Sequence, residues 1–82
     1  MNLELYQSVA LHRDLPEHNL KKGDVATLID CIPHPNGGED GYILEVFNAI
    51  GESITVVAVS SSDVELLRAD EILTVRSLAK SN

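Results

Sequence analysis

The sequence predicts an all-β domain, a small antiparallel barrel of five short strands with a single helical turn before the last. Three observations lead there. Five stretches rich in β-branched and aliphatic residues recur along the chain, several with alternating polarity. Clusters of proline, glycine or serine separate them at close spacing. No stretch sustains an apolar stripe at helical period, and 82 residues at 44% hydrophobic suffice for one thin core.

In the first stretch Val9, Leu11, Arg13 and Leu15 interleave with Ser8, Ala10, His12 and Asp14, which predicts a strand over Leu5 to Asp14 ended by Pro16. A polar loop follows and reaches Lys21-Lys22-Gly23-Asp24, where Gly23 can take the positive φ of a tight turn. Val25 to Ile32 is rich in β-branched residues and has no helix cap, so it reads as the second strand, ended by Pro33. Residues Pro33 to Gly41 hold two prolines and three glycines and read as an exposed loop.

Tyr42 to Phe47 forms the expected third strand, with Tyr42, Leu44 and Val46 on one face and Ile43, Glu45 and Phe47 on the other. Asn48 to Glu52 is a hairpin connection with Gly51 in the left-handed region, and Ser53 to Val59 returns antiparallel as the fourth strand. In that strand Ile54, Val56 and Ala58 are expected to fill the interior, and Val57 and Val59 to point outward. Ser62 and Glu65 have capping-box spacing, which predicts a helical turn over Asp63 to Leu67. Ile72 to Arg76 then reads as the fifth strand, with a longer helix over Asp63 to Leu73 as the competing reading, and Ser77 to Asn82 as a fraying tail. Five short strands with close turns and a helical turn before the last describe an SH3-like barrel.

The blocks Asp14-Leu15-Pro16-Glu17, Leu20 to Leu28, Leu44 to Asn48 and Asp70 to Arg76 resemble a family of small bacterial proteins of unknown function. The resemblance covers most of the chain and implies a stand-alone SH3-like barrel. Its Lys-x-Gly-Asp-x-Gly-Thr opening is similar to the KOW motif of ribosomal and transcription-elongation proteins. This chain departs from the pattern at Ala26, where glycine is usual, and at Ile50, where an acidic turn residue is ordinary. The resemblance implies no catalytic residue, and it implies a partner encoded by a neighbouring gene.

Charge and size narrow the function further. Thirteen acidic residues against six basic ones give a net charge of -7, which disfavours nucleic acid, because phosphate binding relies on Lys and Arg releasing counterions. The charge is spread evenly, with no tail: three basic and seven acidic residues up to Asp40, three and six after it. The start, Met1 to Tyr6, lacks a basic n-region and an apolar run, and no apolar run approaches the length of a membrane span. A cytoplasmic protein is expected, and the lone Cys31 fits a reducing compartment.

Several chemical constellations can be drawn and each has a plainer explanation. Lys21 and Lys22 form a KOW-like turn, but the other basic residues are scattered and the aromatics Tyr6, Tyr42 and Phe47 have no cations among them. A solvated turn explains the lysines. His18, Cys31, His34, Glu39 and Asp40 hold one ligand pair, Cys31-x-x-His34, where structural zinc shows two. Cys31 is expected as a small core hydrophobe and the histidines as solvated loop residues. A reactive thiol needs an electropositive setting, whereas Asp30 adjoins Cys31. Gly37-Gly38 and Gly41 precede neither a helix nor a lysine, so no phosphate cradle is present. No catalytic residue, metal ligand or cofactor is assigned, and an enzyme is not expected.

An apolar excess remains on strands that should have one wet face. The expected interaction residues are Ile43, Phe47, Ile50, Val57 and Val59, with Glu45, Glu52 and Asp40 as polar rim. The function expected is a non-enzymatic protein-binding module, antitoxin-like, immunity-like or accessory, that meets a basic protein. A homodimer through the same apolar surface is the other form of partner, and a KOW-like nucleic-acid module the alternative function.

Overall fold

The computed structural model describes residues 4–78. Five antiparallel strands form one sheet: β1 (Ser8–Leu11), β2 (Val25–Ile32), β3 (Gly41–Phe47), β4 (Ser53–Ser60) and β5 (Val64–Leu66), in the order β4-β3-β2-β1-β5. The described residues contain no α-helix, only 3-10 turns at Pro16–His18 and Ser61–Asp63, and no helix among them is long and apolar enough to cross a membrane. The all-β class and the five strands match the expectation, and β2 has the expected bounds.

A single sheet with no covering helix can dry one face only by curling around it. Val9, Leu28, Leu44, Val57 and Val64, one from each strand, share a single core, and none is more than 2% exposed. Leu15 and Leu20, joined by a bridge across the first 3-10 turn, are buried in the same core. Each such side chain contributes about 1.5–3 kcal/mol by leaving water. The expected barrel is therefore a curled sheet. Its edges are β4 and β5, and no ladder joins them among the described residues.

The first strand is shorter than Leu5 to Asp14. Tyr6 stands at φ 69, a left-handed backbone that breaks the extended run before Ser8. At the other end Arg13 turns to Asp63, donating from Nε to Oδ1 at 2.8 Å. In β2 the register shifts between Leu28 and Asp30, placing a bulge at Ile29, three residues after Ala26. Beyond it the strand runs past the core, so Cys31 is exposed and is not the core residue expected.

Three further expectations are corrected. The helical turn lies at Ser61–Asp63, not at Asp63 to Leu67, and its capping box joins Ser60 to Asp63 and not Ser62 to Glu65. The fifth strand is Val64–Leu66, paired with β1 through Leu11↔Val64 and Val9↔Leu66, and Ile72 to Arg76 forms no strand. Val64, next to Asp63, lies on the edge of β1 that β2 leaves open, so β1 has no edge for Ile72 to Arg76. The helix over Asp63 to Leu73 is absent.

The third correction is the face of β4. Leu44 pairs with Val57 and Tyr42 with Val59, and directly opposed residues share a face. Val57 and Val59 are thus buried with Leu44 and Tyr42, while Ile54, Val56 and Ala58 point outward. A register shift at the hairpin, between Val46 and Phe47, sets this pairing, and a slip of one residue exchanges the two faces. The tail expected from Ser77 is described only to Leu78, and residues 79–82 lie outside the described residues.

Candidate apolar interaction face

Outer positions of β3 and β4 alternate with the core positions, so the corrected register decides which residues meet on this surface. Ile43 stands opposite Ala58 and Glu45 opposite Val56. Phe47 is 40% exposed, Ile54 38% and Val56 51%, which gives an uncovered apolar strip along two adjacent strands. Of the residues expected from the sequence, Ile43, Glu45 and Phe47 lie on this face, and Val57 and Val59 do not. Ile54, Val56 and Ala58 take their place.

Ile50 stands at the tip of the β3–β4 hairpin and is 80% exposed. Asn48 is what holds it there. Its Oδ1 accepts the amides of Ile50 and Glu52 at 3.1 and 2.9 Å, and its Nδ2 donates to Glu52 Oε1 at 2.8 Å. Gly51, at φ 88, closes the turn as expected. Sequence reading passed over Asn48, although an Asx residue opening a glycine turn is a recognisable signal.

The rim is acidic and partly ordered. Glu45 Oε2 accepts from Ser53 Oγ at 2.6 Å, and Glu39 Oε1 from Ser62 Oγ at 3.1 Å. Asp40 is half-buried at the start of β3, where its carbonyl accepts the amide of Ser61.

Next to Phe47 and Ile54 an open groove of about 950 Å³ runs between the sheet and residues 71–78. That segment forms no helix or strand, and among the described residues none of the amides of Ile72 to Leu78 takes part in a backbone hydrogen bond. Arg76 pins it. Its Nε donates to Asp24 Oδ1 at 2.8 Å and its Nη2 to Oδ2 of the same carboxylate. Burial pushes the Asp24 carboxyl up, but Arg76 and the amide of Lys21 outweigh it and hold the group below its ordinary value. Ile72 and Val75 nevertheless point to solvent, at 87% and 90% exposed. Replacing Arg76 by Ala is expected to loosen residues 72–78 while β2 to β5 stay rigid. Backbone nitrogen relaxation reads this directly, and unchanged order parameters beyond Glu71 would refute the pin.

The other candidates are placed apart. Lys21 and Lys22 are exposed on their turn, but Asp24 and Asp14 accept their amides at 2.8 Å each, so carboxylates sit beside both lysines. His34 turns its Nδ1 to the amides of Asn36 and Gly38, both at 3.1 Å, and His18 lies in the first 3-10 turn. Among the described residues no three His, Cys, Asp or Glu side chains converge on one point.

A family model described as "Domain of unknown function (DUF4926)" matches residues 5–66, from the approach to β1 through β5. The pinned segment lies beyond the matched region. No curated protein and no solved structure gives a significant match.

Proposed function

Because the chain belongs to the family described as a domain of unknown function (DUF4926), its function has to be read from its own surface, and we propose that it is a non-enzymatic protein-binding module with a basic partner. The observation that supports this reading is the exposed apolar strip of Phe47, Ile54 and Val56 beside the half-buried Ile43, with Ile50 presented near it by a braced hairpin. Contiguous exposed apolar side chains inside a polar rim mark an interaction surface. The excess of thirteen acidic over six basic residues selects the sign of the partner and accelerates the encounter by steering.

The finer form of the proposal is an antitoxin-like, immunity-like or accessory protein of the cytoplasm that occludes a basic toxin or enzyme encoded next to it. Co-purification with the neighbouring gene product tests it. A complex is expected at low salt, with slower association at high salt because screening removes the steering. The double variant Phe47→Glu, Val56→Glu, with both side chains at the surface, should abolish capture and leave the fold intact. Absence of a complex at low salt, or capture unchanged by the double variant, would overturn the reading.

A further inference from the structure

The two edges of the sheet are unlike. β5 is three residues long, and its central Glu65 lies 3.5 Å from His12, which blunts that edge. β4 runs for eight residues, Ser53 to Ser60, without a charge, a proline or a glycine, in a chain where 23% of residues are charged. Natural sheets protect long edges with charges, prolines or bulges; β4 has only the bulge at Ile54 near its hairpin end, and the regular stretch from Thr55 to Ser60 is left as a template for another strand.

The hydrogen bonds identify which groups are free. Ser60 donates its amide to Asp63 Oδ2 at 3.0 Å, so its backbone polar groups face away from β3. In an antiparallel ladder the two backbone groups of a residue point the same way and alternate along the strand. Val57 and Val59 therefore bond to Leu44 and Tyr42, while the amides and carbonyls of Val56 and Ala58 face the open side. Among the described residues these two amides meet no acceptor outside the β3–β4 ladder.

We propose that β4 is the seam of a homodimer, in which two copies pair their Ser53–Ser60 edges antiparallel about a two-fold axis at Val57. In that register Val56 of one copy faces Ala58 of the other, and each of these residues both donates and accepts. The free groups of Val56 and Ala58 are all used, and the two five-stranded sheets become one continuous sheet.

The occupant is a second copy because of charge. The residues of the β4 edge carry no charge of their own, so along its backbone the edge offers Lys or Arg no ion pair, and the carboxylates that suit a basic partner, Glu45 and Glu52, lie on β3 and its hairpin. Two chains of charge -7 repel over the rest of their surfaces and least along this neutral strip. The register is also closed on itself: Val57 meets Val57 and Val56 meets Ala58 on both sides of the axis, as an isologous interface requires. The assembly closes, since pairing consumes both β4 edges and leaves only the short β5 edges. Ile54 and Val56 belong to both surfaces, but Phe47 and Ile50 stay uncovered in the dimer, so Phe47→Glu alone tests the partner and Ala58→Lys alone tests the seam.

Sedimentation of the full chain from micromolar to near-millimolar concentration tests the dimer. The expected mass is twice the 8.9 kDa of the chain, with slower amide exchange at Val56 and Ala58 as concentration rises. Ala58→Lys places a charge on the seam, and Val56→Pro removes an outward donor that the monomer does not use. Each is expected to halve the mass with the circular dichroism unchanged. A wild type at 8.9 kDa throughout, a dimer that survives Ala58→Lys, or exchange at the two amides that ignores concentration overturns the seam. If Val56→Pro unfolds, Ala58→Lys and the exchange rates decide alone.

Discussion

Replacing Val57 by Asp is expected to abolish cooperative folding, whereas the same change one residue earlier, Val56→Asp, leaves a folded chain. Val57 is 2% exposed against Leu44 in the middle of the core, and an aspartate there carries an unpaired charge out of water. The loss is about 4 kcal/mol or more, against a total of only about 5–15 kcal/mol for a small domain. Val56 is 51% exposed on the outer face, so its replacement costs about 1 kcal/mol or less. Thermal and urea unfolding of both variants measures the contrast. The opposite order, a folded Val57→Asp and an unfolded Val56→Asp, would restore the register read from the sequence and remove the proposed interaction strip with it. Because Val56 also lies on the proposed seam, the comparison is made at a concentration where the wild type is monomeric.

Loss of the Asp63 carboxylate is expected to have the next largest effect on stability, and to flatten the acid limb of the stability curve. Asp63 is the one buried charged residue among those described. Its Oδ1 accepts from Arg13 Nε at 2.8 Å, its Oδ2 from the Ser60 amide at 3.0 Å, and its carbonyl from the His12 amide at 2.6 Å. It thus ties the end of β1 to the turn that launches β5. The hydrogen bond from Arg13 holds the carboxyl below its ordinary value of 3.8 against the opposing effect of burial, with the Ser60 amide and the Arg13 charge adding to it. A carboxyl depressed in the folded state stabilises fully above its unfolded value. That contribution is lost as the pH falls from about 3.8 through the lower folded value. Asp24, lowered beneath Arg76, adds to the same limb.

Asp63→Ala removes the cap and both acceptors and should cost about 2 kcal/mol at neutral pH. Arg13 is more than half exposed and returns to water, so no buried cation is stranded. Asp63→Asn keeps an acceptor for Ser60 and should cost about half as much. Urea titrations from pH 7 down to pH 2 check both, and an acid limb as steep in Asp63→Ala as in the wild type would refute the assignment.

Most of the fold was legible because local signals and core demand agreed. Val25 to Ile32 is β-branched and bounded by a glycine turn and Pro33, and it forms a strand over that whole range. Tyr42, Leu44 and Val46 alternate with more polar residues and are buried together. Gly23 and Gly51 take the positive φ their turns require. The fourth strand was ambiguous, because Ile54, Val56 and Ala58 are as apolar as Val57 and Val59. Composition cannot choose between two apolar faces, and the choice falls to the hairpin register. The candidate site inherited that ambiguity: Ile43, Glu45, Phe47 and Ile50 were found and the β4 contribution was reversed.

The fifth strand failed for another reason. Ile72 to Arg76 has the stronger strand composition, yet Val64–Leu66 pairs with β1. A strand needs a partner edge as well as a propensity: β2 takes one edge of β1, and the Arg13–Asp63 pair ties the chain where Val64–Leu66 takes the other. The sequence by itself determined the class, the strands β2 and β3, the glycine turns at Gly23 and Gly51 and the acidic surface, because each depends on residues near one another along the chain. Only the tertiary structure decided which face of β4 is wet, which segment completes the sheet and which edge is left bare. Those outcomes depend on cross-strand pairing between residues far apart in sequence, where a one-residue shift inverts every side chain.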